Sequence, residues 1–114
     1  MATAIFRGRG EAIDYTPGSA VAAGDVVVQG DLVAIAELDI AANTLGALHT
    51  EGMFDVAKIA GVGTAITVGT KLYYDVAEKV AKADDEAGAN KYIGKCVKAA
   101  ADADTTVRLK LGQD

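Results

Sequence analysis

Residues 46–58 alternate with period two. Leu48, Thr50, Phe54 and Val56 fall on one side of an extended chain, and His49, Glu51 and Asp55 fall on the other. Successive strand side chains point to opposite faces, so the pattern suits a strand with one face in a core and one in water. Gly52 sits inside the pattern without changing its phase, which predicts a bend or bulge where the strand turns a corner. On this reading Leu48, Phe54 and Val56 share the core. The end of the chain alternates more cleanly still: Val107, Leu109 and Leu111 point in, while Thr106, Arg108 and Lys110 point out.

Between these stretches the sequence breaks into short strands. Residues 11–16 alternate ahead of a Pro17-Gly18 turn. Val26-Val27-Val28-Gln29 and residues 32–36 flank Gly30-Asp31, a pairing that predicts a hairpin with glycine first in a type II′ turn. Residues 39–45 read as a loop. Residues 65–74 echo residues 20–28: an apolar lead, a glycine (Gly24, Gly69), a polar residue, then a strand. The echo is either a pseudo-repeat or simply two matching turns. Residues 74–89 are ambiguous. Val76, Val80 and Ala83 fit helical spacing, which leaves one short helix around 76–88 as the alternative. The preferred reading is a hairpin, with a strand to Asp75, a turn near Ala77-Glu78 and a strand over 79–83. Strands over 92–99 and 105–111 complete an all-β domain, a small barrel or sandwich spanning 11–114. Residues 1–10, with Ile5 and Phe6 ahead of Arg7-Gly8-Arg9-Gly10, read as a flexible N-terminal arm that can order on a partner.

Composition narrows the function classes. Apolar residues make up 51% of the chain but aromatics only 5%, so the core is rich in alanine and burial against partners would add stability. A net charge of −5 argues against an extended nucleic-acid contact, which draws on clustered Lys and Arg. A lone Cys96 allows no internal disulfide. Residues 1–10 lack the apolar run of a secretory signal, and no apolar run reaches bilayer-spanning length. Catalytic patterns are also missing. Residues 63–71 contain glycine, threonine and lysine, but not in the order of a phosphate loop. His49 is the only histidine, so it cannot build a histidine metal cluster within one chain, and it reads as an exposed strand residue. Cys96 reads as a small core residue. Asp84-Asp85-Glu86 lacks the ligand spacing of a calcium loop. The expectation is a protein that is not an enzyme and that has no catalytic residue, cofactor or metal.

Three stretches together resemble the tailed-phage capsid cement, or head decoration, proteins. They are Ala12-Ile13-Asp14-Tyr15-Thr16-Pro17-Gly18 with the following Val21-Ala22-Ala23-Gly24-Asp25-Val26-Val27; Gly46-Ala47-Leu48 with Glu51-Gly52-Met53-Phe54-Asp55-Val56-Ala57-Lys58; and Ile93-Gly94-Lys95-Cys96-Val97 with Thr105-Thr106-Val107-Arg108-Leu109. The chain departs from the family pattern at His49, at Cys96 and over the acidic residues 79–86. The resemblance implies a structural protein of the virion, made in the bacterial host cytoplasm and placed on the outer surface of the phage head. Its partners would be the major capsid protein and further copies of itself, a trimer in preference to a dimer, with no nucleic acid and no membrane. The residues expected at capsid or oligomer contacts are Ile5, Phe6, Arg7, Arg9 and Tyr15. The other functions open to such a sequence are a non-catalytic binding module for an unidentified ligand and a DNA-recombination accessory protein.

Overall fold

The computed structural model describes residues 3–5, 7 and 10–112. In chain order the strands are β1 (Ala12–Tyr15), β2 (Val26–Gln29), β3 (Leu32–Ala36), β4 (Gly46–His49), β5 (Gly52–Ala57), β6 (Lys71–Asp75), β7 (Val80–Lys82), β8 (Lys91–Lys98) and β9 (Thr106–Leu111). They form two antiparallel sheets, one ordered β1-β4-β3-β2 and the other β5-β9-β8-β6-β7. The β2–β3 hairpin pairs Gln29 with Leu32 across Gly30-Asp31, and Gly30 has φ +59°, the sign a type II′ turn needs at its first central residue. In the five-stranded sheet the edge strands β5 and β7 approach each other, but no ladder joins them. The architecture is therefore two packed sheets and not a closed barrel.

The main core lies between the sheets. Leu72, Ile93, Val107, Leu109 and Leu111 line the inner face of the five-stranded sheet, and Val33 and Ile35 of β3 pack onto them. The other side chains of β3, Ala34 and Ala36, face a second, smaller cluster with Leu48 and Ile40. A strand buried on both faces reads as a continuous apolar run, which explains why residues 32–36 do not alternate.

Two expectations need correction. Residues 46–58 are not one bent strand but two, β4 and β5, in different sheets, with the chain crossing between them at Thr50-Glu51. Gly52 absorbs the crossing at φ +127°, and a Cβ there would lie 3.2 Å from the Phe54 ring. The faces of β4 also differ from the expectation: Leu48 packs in the smaller cluster, whereas His49 stands opposite Ile35 on the main-core side and is half-buried rather than exposed, while in β5 Val56 belongs to the main core and Phe54 is half-buried against it. Over residues 74–89 the preferred hairpin forms, and the alternative short helix around 76–88 does not. The Asp75 carboxylate accepts the amides of Ala77 (3.0 Å) and Glu78 (3.1 Å), and Lys79 adopts φ +59°, which ends any helical turn.

The echo between the halves extends to hydrogen bonding. Gly24 (φ +89°) donates to Ala36 O at 2.7 Å, and Gly69 (φ +90°) donates to Cys96 O at 2.8 Å. Asp25 N closes a turn on Ala22 O, as Thr70 N does on Thr67 O. Positive φ at the third turn position is the type II geometry that favours glycine. Val21 bridges Ile40 as Ile66 bridges Ala100. With β7 left out of the count, both sheets also share a strand order: the first strand of each half pairs with the last, the last with the third, and the third with the second. The halves differ most between their second and third strands. Gly30-Asp31 makes that link in the first half, whereas residues 76–90, including β7, make it in the second.

Candidate docking surface

The described part of the N-terminal arm lies in the open: Ile5 is 71% exposed and Arg7 is exposed. Phe6 and Arg9 lie outside the described residues. Tyr15 is half-buried at the end of β1, opposite Gly46, and packs on the smaller cluster. Among the described residues no hydrogen bond or ion pair joins Ile5 or Arg7 to Tyr15, so the expected contact residues do not form one constellation.

Where the chain enters β1, Thr50 N donates to Glu11 O at 2.9 Å and the Thr50 hydroxyl donates to Gly10 O. These bonds extend the β1–β4 pairing beyond its last ladder residues and fix where the arm leaves the sheet. His49, on β4, is half-buried; it pairs with Glu37 and sets its ring 6.4 Å from that of Phe54. Exposed Leu38 and Leu45 border the same depression, of about 250 Å³. Cys96 is buried in the main core, and its Sγ donates to Lys98 O at 3.1 Å, as a small core residue would. Among the described residues, no three His, Cys, Asp or Glu side chains are grouped to hold a metal ion.

Two lysines organise surface loops that sequence reading passed over. Lys58 is only 5% exposed. Its Nζ donates to Ile59 O (2.9 Å), Thr64 Oγ1 (2.9 Å) and Asp104 O (3.2 Å), pinning two loops of the second half together. An ammonium out of water needs several acceptors, and here they are carbonyl and hydroxyl oxygens. The only sequence signal was its position, inward in phase with Leu48 and Val56. Lys82 on β7 stands among Asp75 Oδ2 (3.0 Å), Glu78 Oε1 (2.9 Å) and Glu86 Oε1 (3.0 Å). The carboxylates around it raise the Lys82 ammonium well above the ordinary lysine range. Asp75 is held below the usual carboxylate range, first by the backbone amide of Glu78 and then by Lys82. The acidic residues 84–86 are thus partly absorbed into the hairpin's own framework, Asn90 adding a bond to Glu86 at 3.1 Å.

On the outer face of the five-stranded sheet, Arg108 forks onto Asp55 at 2.9 and 3.3 Å. The guanidinium lowers the Asp55 carboxyl. Tyr73 and Tyr92 meet edge to face with ring centroids 5.8 Å apart. Such surfaces of charge and aromatic side chain suit contact with another macromolecule better than chemistry on a small one.

Comparison with known proteins agrees with that geometry. A family model described as phage cement protein matches residues 8–111, which takes in every strand of both sheets. The chain belongs to that family. It is a phage structural protein associated with the capsid, as the resemblance implied. No curated protein and no solved structure matches it.

Proposed function

We propose that this phage cement protein binds the outside of an assembled head, contacts the major capsid protein, and stabilises the shell against the pressure of packaged DNA. The family match over both sheets carries the reading. Shared burial between subunits adds stability by mass action, and repeated copies on a symmetric lattice add multivalency. The binding unit is a homo-oligomer, a trimer in preference to a dimer, because such proteins sit at local symmetry axes.

Within it, residues 11–114 are the β domain and residues 1–10 a docking arm. Ile5, Phe6, Arg7 and Arg9 make capsid or oligomer contacts, and Tyr15 adds the exposed part of its ring at the far end of β1. Aromatic and arginine side chains are frequent interface anchors, and the arm's arginines contrast with a chain of net charge −5.

Co-sedimentation with undecorated heads tests the reading. The full chain is expected to pellet with heads and to raise the temperature at which they release DNA. Protein that stays in the supernatant would overturn it. Deleting residues 2–9 is expected to weaken attachment and leave the melting temperature nearly unchanged; a truncated chain that decorates as tightly removes the arm's role.

A further inference from the structure

The second sheet presents a row of lysines that the first sheet does not. Lys71 on β6 stands directly opposite Lys95 on β8, which stands directly opposite Lys110 on β9. Directly opposed residues share a face, and all three are exposed. The row continues onto Met53, opposite Lys110 on β5 and 70% exposed. Beside the row on one side lie Lys98 and the Arg108–Asp55 pair; on the other lie Tyr92 and Tyr73. Glu51 borders the same depression as Lys95, Lys110 and Tyr92 and pairs with no cation among the described residues, and the carboxylates beyond Tyr73 are held by Lys82. None of the three lysines pairs with a described carboxylate.

The corresponding row of the first sheet is Val26, Ile35 and His49, joined by the same cross-strand partnerships. There Val26 and Ile35 pack onto the main core, so this face holds the two sheets together. In the second sheet the same positions carry positive charge and face outward. Like charges directly opposite one another are unfavourable in an isolated sheet. A face that needed only solubility would mix Lys with Glu at no such cost, and the chain has acidic residues to spare, with 16 Asp and Glu against 11 Lys and Arg.

We infer that the outer face of the five-stranded sheet docks on an acidic protein surface of the phage shell, with the Lys71–Lys95–Lys110 row as its electrostatic centre and Met53 and the tyrosine pair as its apolar contacts. This rests on the cement reading and adds to it a face and a partner chemistry. A protein surface fits better than nucleic acid, because the row is short, is flanked by methionine and tyrosine of the kind enriched in protein interfaces, and belongs to an acidic chain. Attachment through such a face weakens as salt screens it.

The test is co-sedimentation of three proteins with undecorated heads over a salt series: the full chain, a triple Lys→Glu variant and a triple Lys→Gln variant at positions 71, 95 and 110. Both variants are expected to fold, the Gln variant to melt no lower than the parent, attachment to weaken by about tenfold or more in the Glu variant and by less in the Gln variant, and the parent to lose affinity as salt rises. Equal attachment of all three, or salt-independent attachment of the parent, would reduce the row to a solvated end face and overturn the inference while leaving the cement function standing. Duplex DNA retarded by the parent and released by the Gln variant would make the row a nucleic-acid contact and overturn it as well. If the parent itself fails to pellet, the cement reading falls first.

Discussion

Apart from the added β7, the two sheets run their strands in the same order and share the same glycine turn, yet they fill equivalent positions with opposite chemistry. Val26 and Ile35 in the first sheet are apolar and close the main core; Lys71 and Lys95 in the second are charged and face out. The backbone fixes which side chains line up across the strands. Whether a row holds the protein together or offers it to something else depends on a few side chains. The links between second and third strands tell the same story. Two residues suffice in the first half, while residues 76–90 add β7 and the Lys82 cluster to the second.

Exchanging the rows should break the symmetry most severely in one direction. Ile35→Lys, with Ile35 only 3% exposed, buries a cation with no partner and is expected to cost on the order of 3–5 kcal/mol in urea unfolding. Lys95→Ile, its mirror image, should cost almost nothing in unfolding and show instead as increased self-association. A benign Ile35→Lys would mean that the first sheet does not close the core. Next in size is Lys58→Met, which keeps the apolar stem but strands three acceptors; about 1–3 kcal/mol is expected from denaturant curves, and no change would show that the two loops need no pin. Phe54→Ala should cost about 2 kcal/mol, below the range for a fully buried aromatic, because the ring is half-buried where β5 leaves the crossing.

The smallest effect is confined to the insertion and depends on pH. The Asp75 carboxyl is lowered in the folded chain, so its contribution is complete above its ordinary value of 3.8 and is lost as pH falls through the folded value. Lys82 is raised, so its contribution is complete below 10.5 and is lost only as pH rises through the higher folded value. Protection factors of the amides at residues 80–82, taken against the intrinsic exchange rate at each pH, should therefore hold steady across the neutral range and fall in acid below 3.8. Protection already lost between that pH and neutrality would deny the cluster its role.

Much of the fold was legible because burial leaves a period. The closing strand, with Val107, Leu109 and Leu111 inward, reads correctly residue by residue, and Gly30-Asp31 announces its hairpin. The crossing at Thr50-Glu51 was not legible, since the alternation continues in phase while the chain changes sheets; period two records inside and outside but not which core. β3 hid its alternation for the opposite reason, being buried on both sides. The candidate face was invisible because Lys71, Lys95 and Lys110 are far apart in sequence and meet only through the ladder register. Lys58 escaped notice because its acceptors lie on two separate loops.

The most direct test of the central claim is a reconstruction of decorated heads by electron cryomicroscopy. The outer face of β9, β8 and β6 is expected to lie against the shell, with Lys71, Lys95 and Lys110 within reach of shell carboxylates. A density that puts this face toward solvent, with the protein held on the shell by the first sheet, would contradict it.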